Sequence, residues 1–95
     1  MPKPFTLVWT ETFSRTARKF FRKHPDLAGI FEDVLKQLET DPRAPRLRLH
    51  RLSGKHRDKQ AVSLTYSYRI VLILCIRQEE VVLLDIGSHD EVYRD

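Results

Sequence analysis

YRIVLILCIRQEEVVLLDIGSHDEVY, residues Tyr68–Tyr93, holds the two most hydrophobic runs of the chain, Ile70–Ile76 and Val81–Ile86. Both are rich in Val, Ile and Leu and read as strands. The polar bridge Arg77–Glu80 suits a short hairpin loop, although it carries no glycine to set the turn type. Apolar residues fill both parities of each strand, which predicts burial on both faces and a central place in a sheet. Gly87 and Ser88 end the second strand, and a short polar-apolar tail follows as a C-terminal helical turn. Arg69 begins the first strand and His89 follows the second. The start of one hairpin strand and the end of the next are neighbours, so these two residues are expected close together.

Upstream of the hairpin, Gln60–Tyr66 has strand character, with Ala61, Ser63 and Thr65 on one face and Val62, Leu64 and Tyr66 on the other. Before it, Leu47 and Leu49 alternate with Arg46, Arg48 and His50. A strand there would present two arginines and a histidine on one face. Leu52-Ser53-Gly54 reads as a turn, and Lys55–Lys59 as a charged loop. Nearer the N-terminus, Phe13, Ala17, Phe20, Phe21 and His24 recur at helical spacing, with Thr10 as N-cap and five basic residues on the opposite face. A second helix starts at about Pro25, with Leu27, Ile30, Phe31, Val34, Leu35 and Leu38 as its apolar stripe. Phe5–Trp9 supplies a first strand. The expected architecture is α+β: an N-terminal strand, an antiparallel helix hairpin, then a mostly antiparallel sheet of four further strands.

Ninety-five residues suit one domain, 1–95, and 41% hydrophobic with 32% charged residues is the composition of a soluble globular protein. No apolar run approaches the ~20 residues that span a bilayer, and residues 5–10 are too short for a signal-peptide core. A cytoplasmic protein with no membrane contact is expected. Cys75 has no partner for a disulfide and reads as a small core residue. The net charge is +4. Residues 43–59 carry seven Lys or Arg against the single acid Asp58, so the positive charge is localised. That distribution suits nucleic acid as a partner and equally suits a solvated basic face.

The sequence has no phosphate-binding glycine loop and no dinucleotide fingerprint. Its histidines, His24, His50, His56 and His89, do not pair at metal-ligand spacing, so neither a metal nor another cofactor is expected. Ser88-His89-Asp90 is adjacent in sequence, whereas a hydrolytic triad needs convergence in space. A basic surface bearing histidines can cleave RNA without metal. That chemistry needs a base for the 2′-hydroxyl, a cation at the phosphate and an acid for the leaving oxygen. His50, Arg69 and His89 supply those types. Each also has a plainer role open to it: a solvated strand residue, an ion-pair partner of Asp85 or Glu91, and a cap of the final turn. His56, in its charged loop, reads as solvated.

Three pieces of the chain together resemble the RelE/ParE superfamily of type II toxin–antitoxin toxins: LHRLSG at Leu49–Gly54, YRI at Tyr68–Ile70 and LLDIGSHDEVY at Leu83–Tyr93. The likeness is greatest to its YafQ-like branch of RelE ribonucleases. It implies a RelE-like fold and a toxin that cuts mRNA on the ribosome and is neutralised by a cognate antitoxin. By the same resemblance His50 is the general base, Arg69 the phosphate clamp, His89 the general acid, and Tyr93 orients phosphate or stacks on a base. Lys55, Arg57 and Lys59, with Arg46 and Arg48, would hold the RNA backbone. The chain departs from the branch at Ser63 and Ser67, where a histidine and an aspartate are expected. Two other readings stay open: a ParE-like gyrase poison, and a decayed toxin that only binds its antitoxin.

Overall fold

A computed structural model of the chain describes residues 4–93. Strand β1 (Thr6–Trp9) leads into helix α1 (Glu11–Lys23), and a 3-10 turn at Pro25–Leu27 leads into helix α2 (Ala28–Thr40). Strands β2 (His50–Arg51), β3 (Gln60–Ser63), β4 (Tyr68–Cys75) and β5 (Glu80–Ser88) follow, and helix α3 (His89–Val92) closes the described chain. The strands form one sheet in the order β1-β5-β4-β3-β2. All neighbours are antiparallel except β1, which runs parallel to β5. The hydrophobic hairpin therefore lies inside the sheet, as its two-sided apolar pattern requires.

Thr10 starts α1 as the sequence predicts. Its hydroxyl oxygen accepts from the Phe13 amide at 3.1 Å and donates to the Leu83 carbonyl at 2.7 Å, joining the helix cap to β5. Phe13, Ala17 and Phe20 from α1, with Phe31, Val34 and Leu38 from α2, pack on Val62, Ile70, Leu72, Val81 and Leu83 of the sheet. A smaller cluster covers the opposite face, where Leu52, Ala61, Val71 and Val92 meet. Between Val71 and Leu72 the register of β4 on β5 shifts, so that Leu84 is extra. This bulge lets Leu83 and Ile86, three residues apart, both face the main core. The β4–β5 turn forms without glycine because Glu79 takes a left-handed conformation (φ 55°), its amide donating to the Ile76 carbonyl.

One expectation fails at residues 46–51. Pro45–Leu47 is a 3-10 turn, Arg48 is left-handed (φ 53°), and only His50 and Arg51 pair with β3. The Leu47/Leu49 alternation is real, but Pro45 favours the turn and the left-handed residue breaks the period. Arg46, Arg48 and His50 therefore do not share a strand face. The third strand is also shorter than predicted, ending at Ser63 before a bend through Leu64–Ser67. Cys75 is a free, half-buried thiol at the end of β4 rather than a core residue.

Candidate active site and nucleic-acid interface

The register decides which side chains share a face. His50 pairs with Ala61, and Ala61 with Val71, so His50 lies on the sheet face that carries the smaller cluster and α3. Ser63 pairs with Arg69 and Arg69 with Gly87, which places Arg69 one row along on that same face. His89 enters immediately after Ser88, opposite Tyr68.

Helix α3 is a single turn and too short to persist alone. A capping box holds it. The Ser88 hydroxyl accepts from the Glu91 amide at 3.3 Å, and the Glu91 carboxylate accepts from the Ser88 amide at 2.9 Å. Val92 anchors it in the smaller cluster. Gly87 permits the close approach. A Cβ there would stand 3.1 Å from Glu91 Oε1 and 3.2 Å from Glu91 Cβ. The oxygen could swing away, but Glu91 Cβ moves only with the helix. Gly87→Ala is therefore expected to displace α3 by a few tenths of an ångström and reduce the site's activity with the sheet intact. Unchanged activity in a folded Gly87→Ala protein would show that the seat of α3 does not matter to the site.

An open groove of about 500 Å³ is lined by His50, Arg51, Leu52, Ser53, Gly54, Lys55, His56, His89 and Tyr93. It brings together His50, His89 and Tyr93, which the sequence analysis singled out, with Lys55 of the basic loop. The Nδ1 of His50 lies 2.9 Å from the Arg48 carbonyl oxygen. A carbonyl only accepts, so Nδ1 is the donor, and Nε2 of the neutral ring is left with its lone pair free. That is the form a general base needs. The His89 ring meets Tyr93 edge-on at 4.2 Å between centroids, and its Nδ1 lies 3.7 Å from an oxygen of Asp90.

Arg69 stands apart from this lining. Its Nη1 donates to the carbonyls of Thr65, Tyr66 and Tyr68 at 3.3, 3.1 and 3.4 Å. Arg46 is turned to α2, where its Nη2 reaches the Asp33 carbonyl at 3.4 Å, and Arg48 lies outside the groove. Arg57 is exposed on the loop beside Lys55. Lys59 points back into the loop, with Nζ 3.5 Å from His56 Nδ1. Ser63 and Ser67 do not line the groove.

Two lining residues with charged or titratable side chains were not placed in the site from sequence: Arg51, and His56, which was expected to be solvated. Gly54, at φ +64°, reverses the chain and returns His56 to the groove. The His56 Nε2 is closed off from solvent and has no hydrogen-bond partner among the described residues. The Ser53-Gly54 turn signal marked the reversal but could not say which side chain it would carry inward. Among the described residues, no three His, Cys, Asp or Glu side chains converge as a metal site, and no helix is long and apolar enough to cross a membrane.

A strand, a helix hairpin and four further strands in a sheet capped by a C-terminal turn make the RelE-like toxin fold, with a histidine-lined groove on the face away from α1 and α2. The chain shares this fold with YafQ from Escherichia coli at a TM-score of 0.78, with 11% identity over 94% of this chain and 98% of that one. It superposes equally well on a metal-bound toxin from Helicobacter pylori, with a TM-score of 0.77 and 23% identity over 94% of this chain and 99% of that one. The toxin–antitoxin complex of YafQ with DinJ from Escherichia coli gives 0.75, with 13% identity over 95% and 98% of the two chains. No protein-family model and no curated protein sequence matches the chain.

Proposed function

We propose that the chain is the toxin of a type II toxin–antitoxin system and that it cleaves mRNA on the ribosome without a metal ion. The observation that carries this reading is the meeting of His50, from β2, with His89 and Tyr93, from the α3 turn, in one basic groove. His50, its Nδ1 proton held on the Arg48 carbonyl, takes the 2′-hydroxyl proton through Nε2. The 2′-oxygen attacks the adjacent phosphorus, and His89 protonates the departing 5′-oxygen. Arg69 supplies the cation from the neighbouring row. Its Nη1 is committed to backbone carbonyls, so Nε and Nη2 are the donors for phosphate. Tyr93 flanks His89 and orients the substrate. Lys55 and Arg57 hold the RNA backbone. The complex of YafQ with DinJ supports a protein antitoxin as the second partner.

Expression of this chain alone is expected to arrest growth, with amino-acid incorporation falling before thymidine incorporation. Pulse-labelling after induction checks the order. Early DNA breaks with continuing translation would replace this reading with gyrase poisoning.

A further inference from the structure

We propose that Tyr66 is a base-stacking platform, on which one unpaired base of the RNA substrate rests beside the catalytic groove. This rests on the nuclease reading above and names how its substrate is gripped.

Tyr66 is 95% exposed, far beyond the other exposed large apolar residues Trp9, Ile30 and Ile76. An exposed ring on a loose loop would mean little, but this turn is braced. The Tyr68 carbonyl accepts from the amides of Leu64 and Thr65 at 2.9 and 3.3 Å, and the Thr65 hydroxyl oxygen accepts from the Ser67 amide at 3.2 Å. The Arg69 guanidinium then gathers the carbonyls of Thr65, Tyr66 and Tyr68. A half-buried cation thus serves to shape a solvent-facing turn. Its result is a tyrosine held out with no ring neighbour among the described residues. Holding the turn in advance lowers the ordering cost of stacking a planar ligand.

The position and the surroundings select the ligand. Tyr68 pairs with Ser88, and His89 follows directly, so the turn projects from the end of the sheet where the groove's histidine begins. The residues flanking Tyr66 in the turn are Thr65 and Ser67, both polar, and Trp9, Ile30 and Ile76 lie on other elements. A protein helix docks on a contiguous apolar patch, which this site lacks. One ring amid hydroxyls, next to a basic groove, fits one nucleobase with its phosphates held nearby.

The test measures binding of a short single-stranded RNA with 2′-O-methyl riboses, which block cleavage, free and as mRNA on ribosomes. Each nucleotide is replaced in turn by an abasic one. Tyr66→Ser should weaken binding of the intact RNA about tenfold, the scale of one aromatic–base stack, while Tyr66→Phe stays within about twofold. At one position the abasic change should weaken wild type by the same factor and leave Tyr66→Ser unaffected, as for two groups in direct contact. Because the side chain is exposed, both variants keep the fold. Equal binding by wild type and Tyr66→Ser would overturn the platform and leave the nuclease reading standing. A Tyr66→Ser protein that loses only its hold on the protein antitoxin would make Tyr66 a protein contact and overturn the proposal. If wild type neither binds nor cuts RNA in either setting, both readings fall.

Discussion

His89→Ala is expected to abolish growth arrest and to lower RNA cleavage by about 10²–10⁴, the usual worth of one general acid or base. The fold should survive, because the His89 side chain is 65% exposed. The capping box that holds α3 uses Ser88 and Glu91, so the helical turn remains when the imidazole is removed. His50→Ala should behave similarly, and the double variant should be little worse than either alone, since the two act on one transition state. Cleavage is measured on mRNA bound to ribosomes, with circular dichroism as the control for folding. A folded His89→Ala protein that cuts RNA at the wild-type rate would remove the acid from the scheme and with it the case for catalysis over binding.

Phe13→Ala should have the largest effect on stability, a loss of about 3–5 kcal/mol. Phe13 is completely buried, meets Trp9 edge-on at 4.9 Å and stacks against Phe31 at 6.2 Å. It lies in the first turn of α1, whose cap reaches across to β5. The cavity left by the ring would therefore open between the helix hairpin and the sheet. A domain of this size has a total stability of about 5–14 kcal/mol, so the variant sits near the limit of folding. Urea unfolding would show it as a lower midpoint with an unchanged slope. A loss below about 1 kcal/mol would contradict the packing described for this ring. The two variants separate two causes of lost toxicity: His89→Ala acts on chemistry in a stable protein, and Phe13→Ala acts through the population folded.

The central hairpin and the two helices could be read along the chain because their signals are local. Hydrophobic runs bounded by turn residues mark β4 and β5, and apolar spacing with Thr10 and Pro25 marks the helices. The face of β2 could not be read that way. Alternation at residues 46–50 predicts a strand, and the left-handed Arg48 after a Pro45 turn cancels it. His50 nonetheless reaches the site face, through its pairing with Ala61 rather than through alternation with the two arginines.

The sequence by itself determined the element order, the buried hairpin, the capped first helix, and the candidacy of His50, His89 and Tyr93. The elements and the two histidines follow from residue type and short-range spacing, and Tyr93 from the family resemblance. Only the tertiary structure decided which of these side chains meet. Cross-strand register put His50 and Arg69 on one face. The Gly54 reversal brought His56 into the groove unannounced, the close seat on Gly87 set α3, and the carbonyls of the Thr65–Tyr68 turn took up one arm of Arg69. The physical reason is that register and chain reversal depend on pairing partners distant in sequence. A residue's own neighbours carry no record of them.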